Sequence, residues 1–251
     1  LSLLMMFALL TLAAATPSGS EVMWEVYNRE SGDTMSANLI MTITNARGAV
    51  RERSIAQYRM HKDGVESKLM FFLSPSDVRN TSFLSFSYED GRSDDQYIYL
   101  PALRRVKRIA SDSKNDSFMG SDFTYDDMGS RHPDIDSHKV LRRERVEGVS
   151  TLVVESHAKG DEDYPRTISW VVEGEWFGLK KEFYLSNGTL GKTLTIDSYK
   201  QIEGIYVITD MTMRNLVANT STRIQMEDVE FNLDFNDSFF SERQMRIGPR
   251  R

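Results

Sequence analysis

The sequence contains no cysteine among its 251 residues. This absence excludes a disulfide scaffold, a thiolate zinc site, a cysteine nucleophile and a lipid-modified N-terminal cysteine. The four histidines (His61, His132, His138 and His157) are scattered, and no two have the spacing of metal ligands. With 31 Lys and Arg against 37 Asp and Glu, the net charge of −6 argues against a general nucleic-acid binder. Packing and backbone hydrogen bonds must therefore stabilise the fold.

Recognisable catalytic motifs are also lacking. No serine lies in the G-x-S-x-G pattern that places a nucleophile at a strand-to-helix turn. Adjacent carboxylates occur at Asp94-Asp95, Asp126-Asp127 and Glu162-Asp163, but each pair lies in a polar stretch without the apolar pocket that perturbs a catalytic acid. The sequence therefore predicts a protein that is not an enzyme and binds no cofactor or metal.

Long apolar runs are confined to the N-terminus, where residues 1–12 read LSLLMMFALLTL and Ala13-Ala14-Ala15 follows. A short apolar run before small residues is typical of a secretory signal peptide, and it is shorter than the about 20 residues that a membrane-spanning helix needs. We expect residues 1–15 to be an incomplete signal peptide and residues 16–251 to form one domain. The expected product is exported, soluble and without a lipid anchor.

Alternation of apolar and polar residues dominates the remaining chain, apart from a short helix predicted at Glu21 to Asn28. Met35 to Thr44 alternates as a half-buried strand does, and Asn187-Gly188 is a strong hairpin signal. A change of phase near Glu227-Asp228 predicts a β-bulge. The spacing predicts about ten or eleven strands in a mainly β fold, either an antiparallel barrel or a single strongly curved antiparallel sheet.

The predicted inward faces contain many soft or aromatic side chains, in keeping with 13 Met and 13 Phe residues. In Val65 to Leu73 the charged residues Glu66 and Lys68 indicate the outer face, so we expect Leu69, Phe71 and Leu73 to point inward. Such a wall either packs as an ordinary core or leaves a cavity for a ligand. The candidate cavity residues are Leu39, Met41, Ile43, Leu69, Phe71, Leu73, Leu84, Phe86, Tyr88, Trp170, Val172, Leu194, Ile196, Met211, Met213, Ile224 and Met226.

A basic run is the most distinctive local feature of this acidic chain, because Arg104, Arg105, Lys107 and Arg108 place four positive charges within five residues. One interpretation is a contact for an anionic head group or an acidic partner. The other is a solvated strand whose charges are neutralised by nearby aspartates such as Asp112, Asp116 and Asp122.

The segment Tyr99 to Ile109 (YLPALRRVKRI) and the segment Phe118 to Met128 (FMGSDFTYDDM) resemble the signature of the outer-membrane lipoprotein-sorting proteins, relatives of the periplasmic carrier LolA. The likeness extends more loosely from the strand at Met35 to the strand at Met226 to Phe235. It implies that the predicted strands form an unclosed β barrel, with a few short helices that cap the concave face and acyl chains held in the concavity.

The resemblance also implies a function. It predicts a periplasmic carrier or chaperone that binds the acyl chains of lipids or lipoproteins, contacts membranes transiently and works with an exporter of the resistance-nodulation-division (RND) family. Within this hypothesis, Phe118, Met119, Phe123 and Met128 belong to a lid, and Arg104, Arg105, Lys107 and Arg108 contact head groups or a partner. The alternatives are a non-catalytic adaptor of an exporter and, with less support, a secreted lipid hydrolase.

Overall fold

The computed structural model describes residues 16–160 and 162–249. Within these residues, thirteen strands form one antiparallel sheet in the order β6-β5-β4-β3-β2-β1-β13-β12-β11-β10-β9-β8-β7. Strands β6 and β7 are the two edges and do not pair with each other, so the sheet is not closed. The prediction of a mainly β, unclosed antiparallel sheet is confirmed. The predicted signal peptide, residues 1–15, lies outside the described residues.

The strand count exceeds the expected ten or eleven because the two edge strands are rich in charged residues and show no apolar alternation. The strands are Thr34–Thr44 (β1), Val50–Lys62 (β2), Val65–Ser74 (β3), Ser82–Tyr88 (β4), Asp95–Leu100 (β5), Arg105–Arg108 (β6), Asp136–Val146 (β7), Val149–Ala158 (β8), Arg166–Val172 (β9), Gly178–Tyr184 (β10), Leu190–Ile202 (β11), Ile205–Asn215 (β12) and Thr220–Phe231 (β13). Two α-helices, Gly19–Tyr27 (α1) and Glu242–Ile247 (α2), flank them in the described chain.

Strand β1 lies at the centre of the sheet between β2 and β13, and its side chains alternate as predicted. The β1–β13 register shifts between Ser36 and Asn38, opposite the left-handed residue Asp228 (φ 51°). This shift confirms the bulge predicted near Glu227-Asp228, which restores the alternation on both sides of the break. The Asn187-Gly188 hairpin is also confirmed, since Gly188 (φ 82°) lies in the turn between β10 and β11.

The two faces of the sheet are covered by different parts of the chain. The lid face, defined by Leu39 and Met41, is covered by residues 109–135, which connect β6 to β7 and are called the lid segment below. The outer face, defined by Leu69 and Phe71, is covered by residues 235–245, which include α2. Each cover supplies buried aromatic side chains, so both faces of β3 and β4 lie in an apolar core.

Helix α1 confirms the predicted N-terminal helix and begins two residues earlier than expected. Ser18 caps it, because its hydroxyl accepts from the Glu21 N–H while the Glu21 carboxylate accepts from the Ser18 N–H. Gly19 lies directly against the main chain of β7, and a Cβ at this position would be 2.4 Å from the carbonyl carbon of His138. Glycine is therefore required for the close approach of α1 to the sheet.

Candidate functional site

The lid face carries a continuous strip of apolar side chains from the central strands. Its members come from seven neighbouring strands and are buried or half-buried. They include Leu39, Met41, Ile43, Ile55, Met70, Phe72, Phe83, Leu194, Met211, Met213, Ile224 and Met226. Three are methionines of the last strands, whose flexible thioether side chains adapt to irregular apolar partners.

The lid segment fills the space over this strip with three buried side chains. Phe118 is fully buried, and Phe123 and Met128 are nearly so. The Phe118 ring lies 5.1 Å from the ring of Phe83 and 6.0 Å from that of Phe72. The predicted lid residues Phe118, Phe123 and Met128 therefore contact the strip directly, and Met119 packs against the same cluster half-buried. The lid segment itself contains short 3-10 turns and no long helix.

Four side chains from different strands hold the lid segment by its main chain. Arg53 on β2 donates to the oxygen of Met119. Lys68 on β3 donates to the oxygen of Met128 over 2.9 Å, and Gln96 on β5 donates to the oxygen of Tyr125 over 2.7 Å. From the other half of the sheet, Lys192 on β11 donates to the oxygen of Asp122 over 2.9 Å. These four donors are called the latch residues below.

Asp122 adds a buried carboxylate to the tip of the lid segment. Its Oδ2 accepts from the Thr222 hydroxyl over 2.8 Å and its Oδ1 accepts from Thr220. The Asp122 N–H in turn donates to the Thr222 oxygen over 2.9 Å. Two hydroxyls of β13 thus satisfy an acid that is 7% exposed, as a buried polar group requires.

The far end of the lid segment rests on a charged cluster centred on Glu66. Arg59 and Lys68 lie 3.4 and 3.6 Å from its carboxylate oxygens, and the Ser130 hydroxyl donates to it over 3.2 Å. Burial alone would raise the pKa of Glu66, but Lys68 and Arg59 outweigh burial and hold this pKa below its usual value. The charged form of Glu66 is therefore the form that fits the folded protein.

Asp94, from the Asp94-Asp95 pair, lies next to this cluster. It is half-buried, although its polar sequence surroundings predict an exposed residue. Its Oδ2 accepts from the Ser87 hydroxyl over 2.9 Å, and Ser87 also accepts from the Ser130 N–H. Burial raises the pKa of Asp94. Through Ser87, Asp94 helps to attach the lid segment to β4. This structural role explains why an acid with a raised pKa lies here.

A small cavity of about 80 Å³ remains beside the lid segment, between the 3-10 turn at Asp126–Met128 and strand β10. Acids and bases line it together, among them Asp126, Asp127, Arg131, Lys181 and Lys192. Burial lowers the pKa of Lys181, whose ammonium group lies 4.9 Å from the Phe183 ring centre. A cavity of this size does not accommodate an acyl chain, and the strip itself is covered by Phe118, Phe123 and Met128 of the lid segment.

The structure brings about half of the predicted cavity residues together. Leu39, Met41, Ile43, Leu194, Met211, Met213, Ile224 and Met226 all belong to the strip under the lid segment. They come from β1, β11, β12 and β13, where one face is apolar and the other polar. On these strands the alternation assigned the faces correctly.

The structure places a second group on the opposite face of the sheet. Leu69, Phe71 and Leu84 are buried on the outer face with Phe86 beside them, against residues 235–245. The charges of Glu66 and Lys68 predict that these residues lie on the outer face, whereas both point to the lid face and bind there. Because the charged residues of β3 are inward and satisfied, the face assignment of β3 and β4 is wrong by one residue.

The other predicted cavity residues lie away from the strip. Trp170 packs with Val153 and Ile168, and Val172 and Ile196 pack with Phe177 and Leu179. Leu73 is exposed at the end of β3, and Tyr88 is half-buried with its hydroxyl donating to Asp95 over 2.8 Å. These five residues are thus not placed under the lid segment.

The latch residues and part of the strip are not among the residues that the sequence pattern predicts. Met70, Phe72 and Phe83 belong to the strip because they are the alternate residues of β3 and β4. A uniformly apolar run such as Leu69–Leu73 signals a strand buried on both faces, and this signal could have identified them. The sequence signal for Arg53 and Lys192 is weaker. A basic residue within an alternating strand can be predicted to be buried, but the pattern does not show which group it binds.

The basic run forms the hairpin between β5 and β6. Arg104 is the left-handed residue at its tip (φ 49°), and Arg104, Arg105 and Lys107 are exposed. Arg108 pairs with Asp95 on the neighbouring strand. In the described part of the chain, the neutralising aspartates that the sequence suggested do not pair with this run.

Two further properties bear on function. None of the helices in the described ranges is long and apolar enough to cross a membrane. Among residues 16–160 and 162–249, no group of three or more acidic or histidine side chains is arranged to hold a metal ion.

Comparison with known proteins identifies the family. A family model described as "Uncharacterized protein" matches residues 64–247, which is well over half of the chain. None of the curated proteins matches the sequence significantly. A solved structure described as an outer membrane lipoprotein-sorting protein domain, from Vibrio parahaemolyticus, is 31% identical with a TM-score of 0.85, and the match covers 91% of this chain and 98% of that one.

Two other solved structures agree with this relationship. A DUF1329 family protein from Desulfovibrio piger is 26% identical with a TM-score of 0.85, and covers 90% of this chain and 97% of its own. A LolA superfamily protein from Nitrosomonas europaea has a TM-score of 0.69 at 16% identity, over 91% of this chain and all of the other, which shows a shared fold. The extent and identity of the first match show that this chain belongs to the outer membrane lipoprotein-sorting protein family.

Proposed function

We propose that the protein is a periplasmic carrier or chaperone that binds an acyl chain of a lipid or lipoprotein on the lid face. Membership of the lipoprotein-sorting family supports this role. The observation that carries the proposal is the pairing of an apolar strip with a cover that side chains of the sheet hold, the latch residues by its main-chain oxygens and Thr222 and Glu66 by Asp122 and Ser130. Such a cover can leave without disrupting the hydrogen bonds between strands.

The contacts of the lid segment and those of a bound acyl chain have free energies of the same order. Each net hydrogen bond from a charged donor contributes about 1.5–3 kcal/mol, and burial of a phenylalanine contributes about 1.5–3 kcal/mol. An acyl chain gains about 0.8 kcal/mol per buried methylene, or roughly 10 kcal/mol for one long chain before entropic costs. A bound chain thus offsets the loss of Phe118 and Phe123 contacts, whereas water does not.

Partners follow from the same proposal. We place the head group of the cargo, or an acidic partner, at the exposed side chains Arg104, Arg105 and Lys107, with Arg108 behind them. An RND-family exporter is proposed as the membrane partner because family members that this sequence resembles accompany such exporters. Co-purification of the protein with a membrane exporter tests that partner directly.

A disulfide across the lid tests whether opening is required. Since the chain has no native cysteine, a pair at Asp122→Cys and Thr222→Cys would be the only thiols, and these residues are in hydrogen-bond contact. The oxidised variant should take up no fluorescent fatty acid, and the reduced variant should take it up. Equal uptake by both forms would contradict binding beneath the lid segment.

A pair of matched truncations tests which face binds. Phe118→Ala and Phe71→Ala remove the same side chain from fully buried positions on the lid and outer faces. Each should destabilise the protein by about 3–5 kcal/mol. Only Phe118→Ala should increase the affinity for a fluorescent fatty acid, because it removes a competitor from the strip. Mass spectrometry of the gently purified wild-type protein should detect lipid, and its absence together with failed uptake would count against the carrier role.

The filled lid face favours a second candidate, a non-catalytic adaptor of a membrane exporter. An adaptor needs no cavity, and Phe118, Phe123 and Met128 already complete an apolar core. This role is supported if neither the wild-type protein nor Phe118→Ala takes up fatty acid while the exporter co-purifies. The carrier role predicts the opposite result for fatty acid uptake.

A further inference from the structure

The topology gathers alternate hairpin connections at one end of the sheet. The register pairs Thr44 with both Val50 and Ser221, so the β1–β2 and β12–β13 connections are neighbours. Ser54 pairs with Ser74, and Ser82 pairs with Tyr99, which brings the β3–β4 and β5–β6 connections to the same end. We call one part of this end, formed by residues 45–50, 73–81, 101–105 and 214–219 together with α2, the basic rim. The β8–β9 and β10–β11 connections lie further along the same end and do not belong to the basic rim.

The basic rim carries most of the exposed large apolar side chains of the described residues. Six of these nine side chains lie there: Val50, Leu73, Leu103, Leu216, Val217 and Ile247. Leu103 and Val217 are 68% and 67% exposed at the tips of two hairpins. Helix α2, which carries Ile247, is fixed at this end because the Ser82 hydroxyl donates to the Met245 oxygen over 2.9 Å. Scattered surface apolar residues need no explanation, but a concentration at one end indicates a contact surface.

The same end carries positive charge that the rest of the molecule does not neutralise. Eight exposed basic side chains on or next to the rim form no ion pair within the described ranges, whereas neighbouring Arg108 pairs with Asp95. They are Arg47, Arg51, Arg79, Arg104, Arg105, Lys107, Arg214 and Arg243. Unpaired arginines beside exposed leucine and valine match a partner that is both apolar and anionic.

The opposite end of the sheet is acidic. Each of its five connections carries at least one acid, represented by Asp63, Glu89, Glu147, Glu173 and Glu203. Strand β2 alone has 13 residues, so the two ends are about 40 Å apart at roughly 3.3 Å per residue. Because charges are screened beyond about 8 Å at physiological ionic strength, the acidic end does not cancel the field at the basic rim. The net charge of −6 thus conceals a local basic surface, the basic rim, that lies far from these acidic connections.

We infer that the basic rim docks on the surface of an anionic lipid bilayer. Apolar side chains on hairpin tips insert at the level of the head groups, and the flanking arginines attract phosphate. The acidic end is repelled by the same surface, so the protein binds in one orientation. Arg53 and the Met119 oxygen lie near the start of β2, which places the tip of the lid segment at the membrane.

Vesicle flotation with the purified protein tests the docking surface. The probes are vesicles of phosphatidylcholine alone and vesicles that also contain phosphatidylglycerol. The wild-type protein should bind the anionic vesicles only, and less at high salt. Arg47→Gln and Arg104→Gln should each reduce partitioning about fivefold, and Leu103→Ser with Val217→Ser should reduce it further. Matched controls away from the rim, Lys200→Gln and Leu141→Ser, should bind as the wild-type protein does.

A second measurement locates the contact. Tryptophan introduced as Leu103→Trp should be quenched by brominated phospholipid, and Leu141→Trp should not be. Any of three results would overturn the inference. The wild-type protein would not bind anionic vesicles, it would bind neutral vesicles equally well, or the rim and control variants would lose binding equally. Docking does not depend on fatty acid uptake, so the carrier proposal and this one fail in different experiments.

Discussion

Arg53 on β2 donates a hydrogen bond to the main-chain oxygen of Met119, at the tip of the lid segment. The two residues are separated by 66 positions in the sequence, and the guanidinium is buried on the lid face beside Ile55. Because Met119 contributes its backbone, a substitution at position 119 leaves this contact in place, whereas a substitution at position 53 removes it.

Removal of the Arg53 guanidinium should loosen the lid segment. A charged hydrogen bond contributes about 1.5–3 kcal/mol, so Arg53→Met should raise the open population of the lid roughly ten- to hundredfold. Hydrogen exchange of the amides at residues 117–123 measures this population. Arg51→Met is the matched control, since Arg51 is exposed two residues earlier on the same strand. Equal exchange in the two variants would show that Arg53 does not hold the lid.

Replacement of Thr222 by valine should destabilise the whole protein. Thr222 is fully buried, and its hydroxyl serves both the Asp122 N–H and the Asp122 carboxylate. Valine has the same shape but satisfies neither group, which costs about 1–3 kcal/mol for each buried polar group left unpaired. Denaturant unfolding measures the loss. Thr42→Val, on the opposite face of neighbouring β1, should change the free energy of unfolding by less than about 0.5 kcal/mol.

Alternation in the sequence was sufficient to predict the strands whose two faces differ. Strand β1 buries Leu39, Met41 and Ile43 on one face only, so its pattern predicts both the strand and its direction. The Asn187-Gly188 turn and the bulge at Asp228 are likewise local features, written in a few consecutive residues. The resemblance to the lipoprotein-sorting family supplied the unclosed sheet, which periodicity left undecided.

The faces of β3, the latch residues and the basic rim depend on contacts between residues that are distant in the sequence. In β3 both faces are buried, so Leu69 and Met70 are equally apolar and the pattern does not distinguish the faces. The charges of Glu66 and Lys68 then mislead, because their partners lie in the lid segment more than fifty positions later. The latch residues escape sequence analysis for the same reason, as do the paired ends of the sheet that form the basic rim.

Addition of one methyl group at position 19 should detach α1 from the sheet. Alanine is the better helix former by about 1 kcal/mol, so helix propensity alone predicts that Gly19→Ala is stabilising. The added Cβ, however, would be 2.4 Å from the main chain of β7, and relief of such overpacking costs about 1–3 kcal/mol. We therefore expect a lower melting temperature. The neighbouring exposed position provides the control, and Ser20→Ala should leave the melting temperature unchanged or slightly higher.

Acid should weaken the charged cluster beneath the lid segment. The pKa of Glu66 lies below its usual value in the folded protein, because Lys68 and Arg59 outweigh the effect of burial. A depressed pKa means that ionised Glu66 stabilises the fold above the unfolded-state pKa of about 4.5, and that this contribution disappears as the pH falls through the folded-state pKa. At neutral pH, Glu66→Gln should therefore be less stable than the wild-type protein.

The difference between the two proteins should shrink on acidification. Denaturant unfolding of both from about pH 6 to about pH 3 measures it, with Glu52→Gln, an exposed position on β2, as the control whose difference from wild type stays near zero. Other acids also lose their charge in this range, but they do so in both proteins and cancel in the comparison. A difference that remained constant or grew as the pH fell would show that the charge of Glu66 does not stabilise the lid segment, and that Ser130 is held by its main-chain bond to Ser87 alone.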